Sequence, residues 1–459
     1  MADVVPAPTE VPPAPLRTDG ARFVDGFGRE RRLRGTCIGG WLNMENFITG
    51  YAANESFMRA EVRKVLGDEP ADRFFERLLT SFFGEDDARF LGENGFDVVR
   101  IPLNYHHLNP DDRPDEIAAE GFRHLDRAIE ALGRHGVYSI IDLHALPGGQ
   151  NQHWHSDNPT HIAGFWGQAS FHDRVERIWR AIAEHYRGNV WVAGYNLMNE
   201  PADESGAAVG PVYDRLLRAV REVDPDHIVY LDGNTYSTDF SMFDEPAPNT
   251  VYTLHDYVAA GLGRSPEYSK QIALDKFLDR SAYARRTGTP LLVGEFAPIY
   301  DNDERVDAGR RQMLDDQLDI YREHGVSWTS WMYKDLGRQG IVNARRESAY
   351  RARFDAFVAK KNRLAADQWG SDGVGVREAT QPIQDLVARE FPDFDPYPWG
   401  RFDWVRTLVL NITISQPLAV EYAGLLRGLG AEELDALADS FSFAQCEVRE
   451  SLLDQLRRG

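Results

Sequence analysis

The sequence predicts a parallel (β/α)8 TIM barrel with an α-helical C-terminal extension. Three observations predict it. Eight short apolar segments, each the length of a buried strand, alternate with helical stretches, the pattern of parallel crossover units. Two of the eight end abruptly in a glutamate, at the end of the strand where a parallel barrel carries its catalytic loops. No glycine-rich dinucleotide fingerprint follows any strand, which argues against an open doubly wound sheet.

Residues 1–20 read as a disordered lead-in. Met1 to Pro15 is rich in proline and alanine and lacks the basic start and apolar core of a secretory signal. Arg22 to Asp25 and Arg29 to Leu33 bracket Gly26-Phe27-Gly28 as a hairpin at the barrel floor. The barrel occupies residues 21–363. Its strands are expected at Leu33–Leu42, Val98–Leu103, Val137–His144, Val190–Glu200, His227–Gly233, Val251–Tyr257, Leu291–Glu295 and Val326–Trp331. Helices are expected at Gly121–His135, Phe171–Tyr186, Val212–Val223, Leu274–Thr287 and Arg310–His324, with Glu347–Arg363 closing the barrel. Asn43 to Asp86 is a long loop with a helix of its own, and Ala145 to Gly167 is loaded with His, Trp, Asn and Gln. Residues 364–459 exceed what a barrel needs. Helical patterns at Thr380–Glu390, Trp404–Asn411, Ala419–Arg427 and Glu432–Arg458 predict an extension packed on the barrel that offers a contact for a homo-oligomer. Its aromatic cluster, Phe391 to Trp404, reads as interface core rather than as a sugar platform.

Among the 459 residues, 42% are hydrophobic, enough for a full core. Acidic residues number 72 against 51 basic ones, a formal charge of -21. That balance argues against nucleic acid and anionic membranes as partners and suits neutral substrates. No apolar run reaches the length of a membrane span. The two cysteines, Cys37 and Cys446, exclude a disulfide framework, and a cytoplasmic location is expected.

Chemistry concentrates at strand ends. The apolar run from Val190 to Leu197 stops at Asn199, Glu200 and Pro201, and Pro290 to Phe296 repeats the pattern with Glu295. Two carboxylates aimed into one cleft are what glycosidic bond cleavage requires. Arg100 ends a buried strand, where a guanidinium can keep a carboxylate ionised. His144, His255 and Tyr257 close two further strands, within reach of a carboxylate or a sugar hydroxyl. Trp331 closes the last, with a face that could stack under a pyranose. The insertion His153-Trp154-His155-Ser156-Asp157, with His161 and Trp166 nearby, offers Trp154 or Trp166 as an aglycone platform. Histidine spacing in a loop is a weak metal signal, so neither metal nor cofactor is expected. Lys334-Asp335 reads as a pocket-mouth pair or a surface ion pair.

The set Arg100, His144, Asn199-Glu200, His255-x-Tyr257, Glu295 and Trp331 resembles glycoside hydrolase family 5, over roughly Arg22 to Arg363. The resemblance implies a retaining β-glycosidase. In it Glu200 is general acid/base, Glu295 nucleophile and Asn199 the ligand of the sugar 2-hydroxyl. Arg100 and Tyr257 support Glu295, His255 orients the catalytic groups, His144 contacts substrate and Trp331 floors the -1 subsite. Arg34 to Glu45 and His144 to Asn151 are similar to the opening strand and third loop of the exo-β-1,3-glucanases, where a glutamate like Glu45 binds the terminal glucose. Leu146, Gly149 and the insertion after Asn151 depart from that branch. The expected activity is therefore exo-hydrolysis of β-glucosides or β-glucan oligosaccharides. The alternatives are an endo-β-1,4-glucanase or mannanase, if the cleft stays open past Glu45, and a non-catalytic sugar-binding barrel. A general acid must also start protonated, so the pKa of Glu200 is expected above that of Glu295.

Overall fold

The computed structural model describes residues 10–364, 366 and 374–459. Three short strands come first: β1 (Arg17–Asp19), β2 (Arg22–Val24) and β3 (Glu30–Arg31). Eight parallel strands then close a barrel in chain order: β4 (Arg34–Cys37), β5 (Val98–Asn104), β6 (Tyr138–Ala145), β7 (Val192–Asn196), β8 (Ile228–Asp232), β9 (Thr250–His255), β10 (Leu291–Glu295) and β11 (Ser327–Ser330), with β11 pairing back to β4. Both faces of such strands are covered, so they run apolar without alternation. Every residue of β5 and β6 is buried.

The expected lead-in ends early. Residues 1–9 lie outside the described residues, but β1 pairs with β2, and β2 with β3. Thr18 is tied to the barrel, its backbone N–H donating to Asn249 Oδ1 at 3.0 Å. Leu16 and Phe23 join Val98, Ile140, Ile228 and Leu292 in a separate apolar cluster that seals the floor. Burying those two side chains is what orders a segment whose composition suggests disorder.

Strand β4 stops at Cys37 rather than Leu42, because the chain turns at Gly40 (φ 76°), where a Cβ would lie 2.2 Å from Ile48 Cγ2. The loop after it holds three helices where one was expected: Asn46–Thr49, Glu55–Leu66 and Asp68–Phe82. Glycines in positive φ, Gly50 and Gly67, separate them.

The extension is not purely helical. The expected helix Glu432–Arg458 is divided into a helix at Ala431–Asp439, a short strand and a helix at Glu450–Arg458. The barrel's last loop supplies the strand's partners. There β12 (Lys334–Asp335) pairs with β13 (Val342–Ala344), and β13 pairs antiparallel with the extension's β14 (Cys446–Val448). Cross-strand partners override local helical preference here. The same packing buries Lys334, expected at the pocket mouth or the surface. Its ammonium donates to the carbonyls of Phe82 and Phe441 and to Asp87 Oδ1. Arg73 and Arg77 pair with Asp435 and Asp439, and Leu452, Leu453 and Leu456 are buried in the main core. Much of the described extension thus shares the barrel's core, while Val376 and Leu410 form a small cluster of their own.

Candidate active site

Arg100 organises the carboxyl end of the barrel. Its side chain is fully buried, and each nitrogen has its own partner: Nε donates to Asn196 Oδ1 (2.9 Å), Nη1 to Glu295 Oε1 (2.8 Å) and Nη2 to Asn199 Oδ1 (2.7 Å). Asp142 Oδ2 lies 3.1 Å from Nη2. Tyr257 donates its hydroxyl to Glu295 Oε2 at 2.8 Å, so both oxygens of Glu295 are engaged. Gly294, just before it, has a packing reason. A Cβ there would come within 2.5 Å of Thr253 Cγ2 and 3.1 Å of His255 Nε2.

Glu200 sits beyond the end of β7 with φ 46°, a left-handed conformation that costs a non-glycine residue roughly 1–2 kcal/mol. Neighbouring strands hold it there. Its N–H donates to Asp232 Oδ2 (3.0 Å) and its carbonyl accepts from Asn151 Nδ2 (3.0 Å). Asp232 is fixed in turn by Asn196 Nδ2 and Ser237 Oγ. This strain, over-determined by hydrogen bonds, aims the carboxyl group into the cleft. One side-chain O or N atom from each of Glu200, His255 and Glu295 lies within 4.8 Å of the others. The two carboxylates are therefore on the close side of the spacing that separates retaining from inverting glycosidases. These three are also the group that could ligate a cation among the described residues, yet Arg100 and Tyr257 already engage both oxygens of Glu295.

The protonation pattern departs from expectation. Burial pushes Glu200 up, but the charges and hydrogen bonds of His255, whose Nδ1 is 2.7 Å from Oε1, and of His155 together outweigh burial and carry Glu200 well below the usual carboxylate range. Burial depresses His255, but Glu295 and Glu200 more than offset that and raise it. Charge therefore draws the shared proton to the imidazole. His155 acts in the same sense. Asn151 Oδ1 accepts from His153 N (3.0 Å), which fixes the amide and turns Nδ2 toward both the Glu200 carbonyl and His155 Nε2 (2.8 Å). Glu200 Oε2 lies 3.1 Å from that same nitrogen.

His144 lies on the other wall. Its Nδ1 is 2.6 Å from Asp142 Oδ2 and its Nε2 3.2 Å from Glu45 Oε1. Burial opposes its charge, but Asp142 and Glu45 prevail and hold it up at about 10. Glu45 itself is pushed up, chiefly by burial. The Trp331 ring stacks on His144 at 5.5 Å and 8°.

These groups surround a cavity of about 570 Å³. Glu45, His144, Trp154, Glu200, His255, Tyr257, Glu295 and Trp331 line it, while Arg100, Asn199 and Asn151 stand behind the wall. Trp166 does not line it, donating to the Gln150 carbonyl instead. Sequence reasoning missed Asp142 and Asp232, although a carboxylate within or closing an apolar strand is itself a signal. Part of the extension's aromatic cluster reaches the cavity. Phe391 and Phe394 are exposed, and Trp399 lines the cavity with Asp403 and Asn411.

Paired carboxylates this close, one anchored by Arg100 and Tyr257 and the other set among histidines, define a glycoside hydrolase of the retaining kind. Comparison with known proteins agrees. The profile of the cellulase family, glycosyl hydrolase family 5, matches residues 80–337. A β-xylosidase from Phanerodontia chrysosporium is 42% identical over 458 residues, covering 95% of this chain and 96% of its own. A probable glucan 1,3-β-glucosidase A from Aspergillus fumigatus is 30% identical over 354 residues, 67% of this chain and 84% of its own. Among solved structures, an endogalactoceramidase shares the fold with a TM-score of 0.54 at 18% identity, over 76% of this chain and 78% of that one. The chain belongs to glycoside hydrolase family 5.

Proposed function

We propose that this enzyme removes a terminal β-linked pyranose of the gluco series, glucose or xylose, from short glycosides. Glu295 attacks the anomeric carbon while Glu200 protonates the leaving oxygen. Glu200, then deprotonated, activates the water that releases the sugar from the glycosyl ester. The observation that carries the role assignment is the asymmetry of partners. Glu295 has both oxygens hydrogen-bonded, by a buried guanidinium and a phenol, whereas Glu200 contacts two imidazoles that can exchange a proton with it. Exo action is supported by one end of the cavity, where Glu45 meets His144 and Asn43 Nδ2 donates to the His155 carbonyl. A cavity of this volume suits a small glycoside rather than a polymer chain.

Xylose and glucose differ only by the hydroxymethyl group on C5. The relative named as a β-xylosidase matches along 95% of this chain and so takes in most of the C-terminal extension, which favours xylose. The test is hydrolysis of aryl β-xylosides and β-glucosides by wild type and by Glu295→Gly, with and without azide. Cleavage by wild type, loss in the variant and azide rescue giving the inverted glycosyl azide support the assignment. Activity persisting in Glu295→Gly without azide overturns it.

A further inference from the structure

The C-terminal extension does more than brace the barrel. Pro398, Trp399, Asp403 and Asn411 line the same cavity as the two glutamates, from a stretch far beyond Glu295 in the chain. Trp399 is only partly buried. Its ring stacks on Tyr397 at 5.3 Å and 20° and meets Tyr236 edge-on at 5.6 Å and 85°. Two further contacts moor the segment beside the catalytic loops. Trp154 Nε1 donates to the Asn411 carbonyl (3.3 Å), within a π-helical run, Leu408–Ile414, and Asp403 lies 3.9 Å from His153. π-Helical turns are rare and recur at functional sites.

Tyr236 is held with unusual effort. Thr235, Tyr236 and Ser237 all adopt positive φ, 55°, 59° and 59°. Three successive non-glycine residues in that region require the surroundings to fix them. The Tyr236 N–H donates to the carbonyl of Pro201, next to Glu200, at 3.2 Å. Its hydroxyl donates to Gln152 Oε1 at 2.7 Å, which fixes the ring's orientation over the cavity. The wall is therefore tied to the turn that carries the acid/base group.

We propose that Trp399, backed by Tyr236, is the platform of an aglycone subsite for the second pyranose of a β-linked disaccharide. The proposal rests on the catalytic assignment above. A pyranose presents an apolar C–H face to an aromatic ring, while Asp403 beside the platform can accept from its hydroxyls. The leaving oxygen must lie near Glu200, so the next ring falls on the side where Pro201 and Tyr236 are joined.

The test compares wild type, Trp399→Ala and Trp399→Phe on three substrates with the same glycone: a β-linked disaccharide, an aryl β-glycoside and a β-glycosyl fluoride. The fluoride has no ring for the subsite. In Trp399→Ala, the ratio of kcat/KM on the disaccharide to that on the fluoride is expected to fall about ten-fold, with Trp399→Phe recovering most of it. A fall shared equally by the fluoride would mean a structural role and overturn the proposal, as would an unchanged ratio. A loss confined to the aryl glycoside would overturn the sugar assignment. Wild type inert toward all three would refute the catalytic reading itself, a separate outcome.

Discussion

Replacing His155 with alanine tests the combined pull of two histidines on one carboxyl group. His255 faces Oε1 of Glu200 at 2.7 Å and His155 faces Oε2 at 3.1 Å, and both favour its anion against the upward push of burial. Loss of His155 therefore raises the pKa of Glu200. A hydrogen bond of this kind contributes about 1–1.5 kcal/mol. One pKa unit corresponds to about 1.4 kcal/mol, so the alkaline limb of the kcat/KM profile is expected to move up by about one pH unit. The assay is a pH-rate profile on a phenyl glycoside, repeated with a dinitrophenyl glycoside whose departure needs no proton. Above the wild-type limb the phenyl substrate should gain up to about ten-fold, and the dinitrophenyl substrate much less. A limb that moves to lower pH would show that His155 stabilises the protonated carboxyl group and would overturn the assignment. An unmoved limb would overturn it equally.

Three further outcomes follow from the same geometry. Arg100→Lys should abolish activity and destabilise the fold by about 3 kcal/mol in urea unfolding, because one ammonium, although it keeps the charge, cannot serve Asn196, Asn199 and Glu295 in three directions and leaves buried acceptors without donors; unchanged stability would contradict this. Gly294→Ala should drive β10 from β9, displace His255 and lower kcat more than it raises KM, as measured by steady-state kinetics. His144, held up at about 10 against an unperturbed value of 6.5, contributes stability that is full below about pH 6.5 and is lost as pH rises toward 10. Denaturant unfolding across that window should show the decline in wild type and a shallower one in His144→Gln.

The barrel and most of its site could be read from residues alone because both rest on local rules. Apolar strands alternate with helices along the chain, and the polar groups that line the cavity cluster at or just beyond strand ends, so Glu200, Glu295, His144 and His255 announce themselves by position, whereas Arg100, expected at a strand end, lies inside β5. Boundaries were harder to read. β4 and β7 stop short because a glycine turn at Gly40 and the left-handed Glu200 are set by contacts with Ile48, Asp232 and Asn151, none of them neighbours in sequence.

The sequence by itself determined the fold class, the paired carboxylates and the chemistry they permit. Tertiary structure alone decided where the proton of Glu200 is drawn, because that depends on how near His255 and His155 lie. It alone decided that Lys334 is buried and that Trp399 lines the cavity with the two glutamates. Charge, burial and hydrogen bonding act through space over a few ångströms, and the partners in these cases lie far apart along the chain.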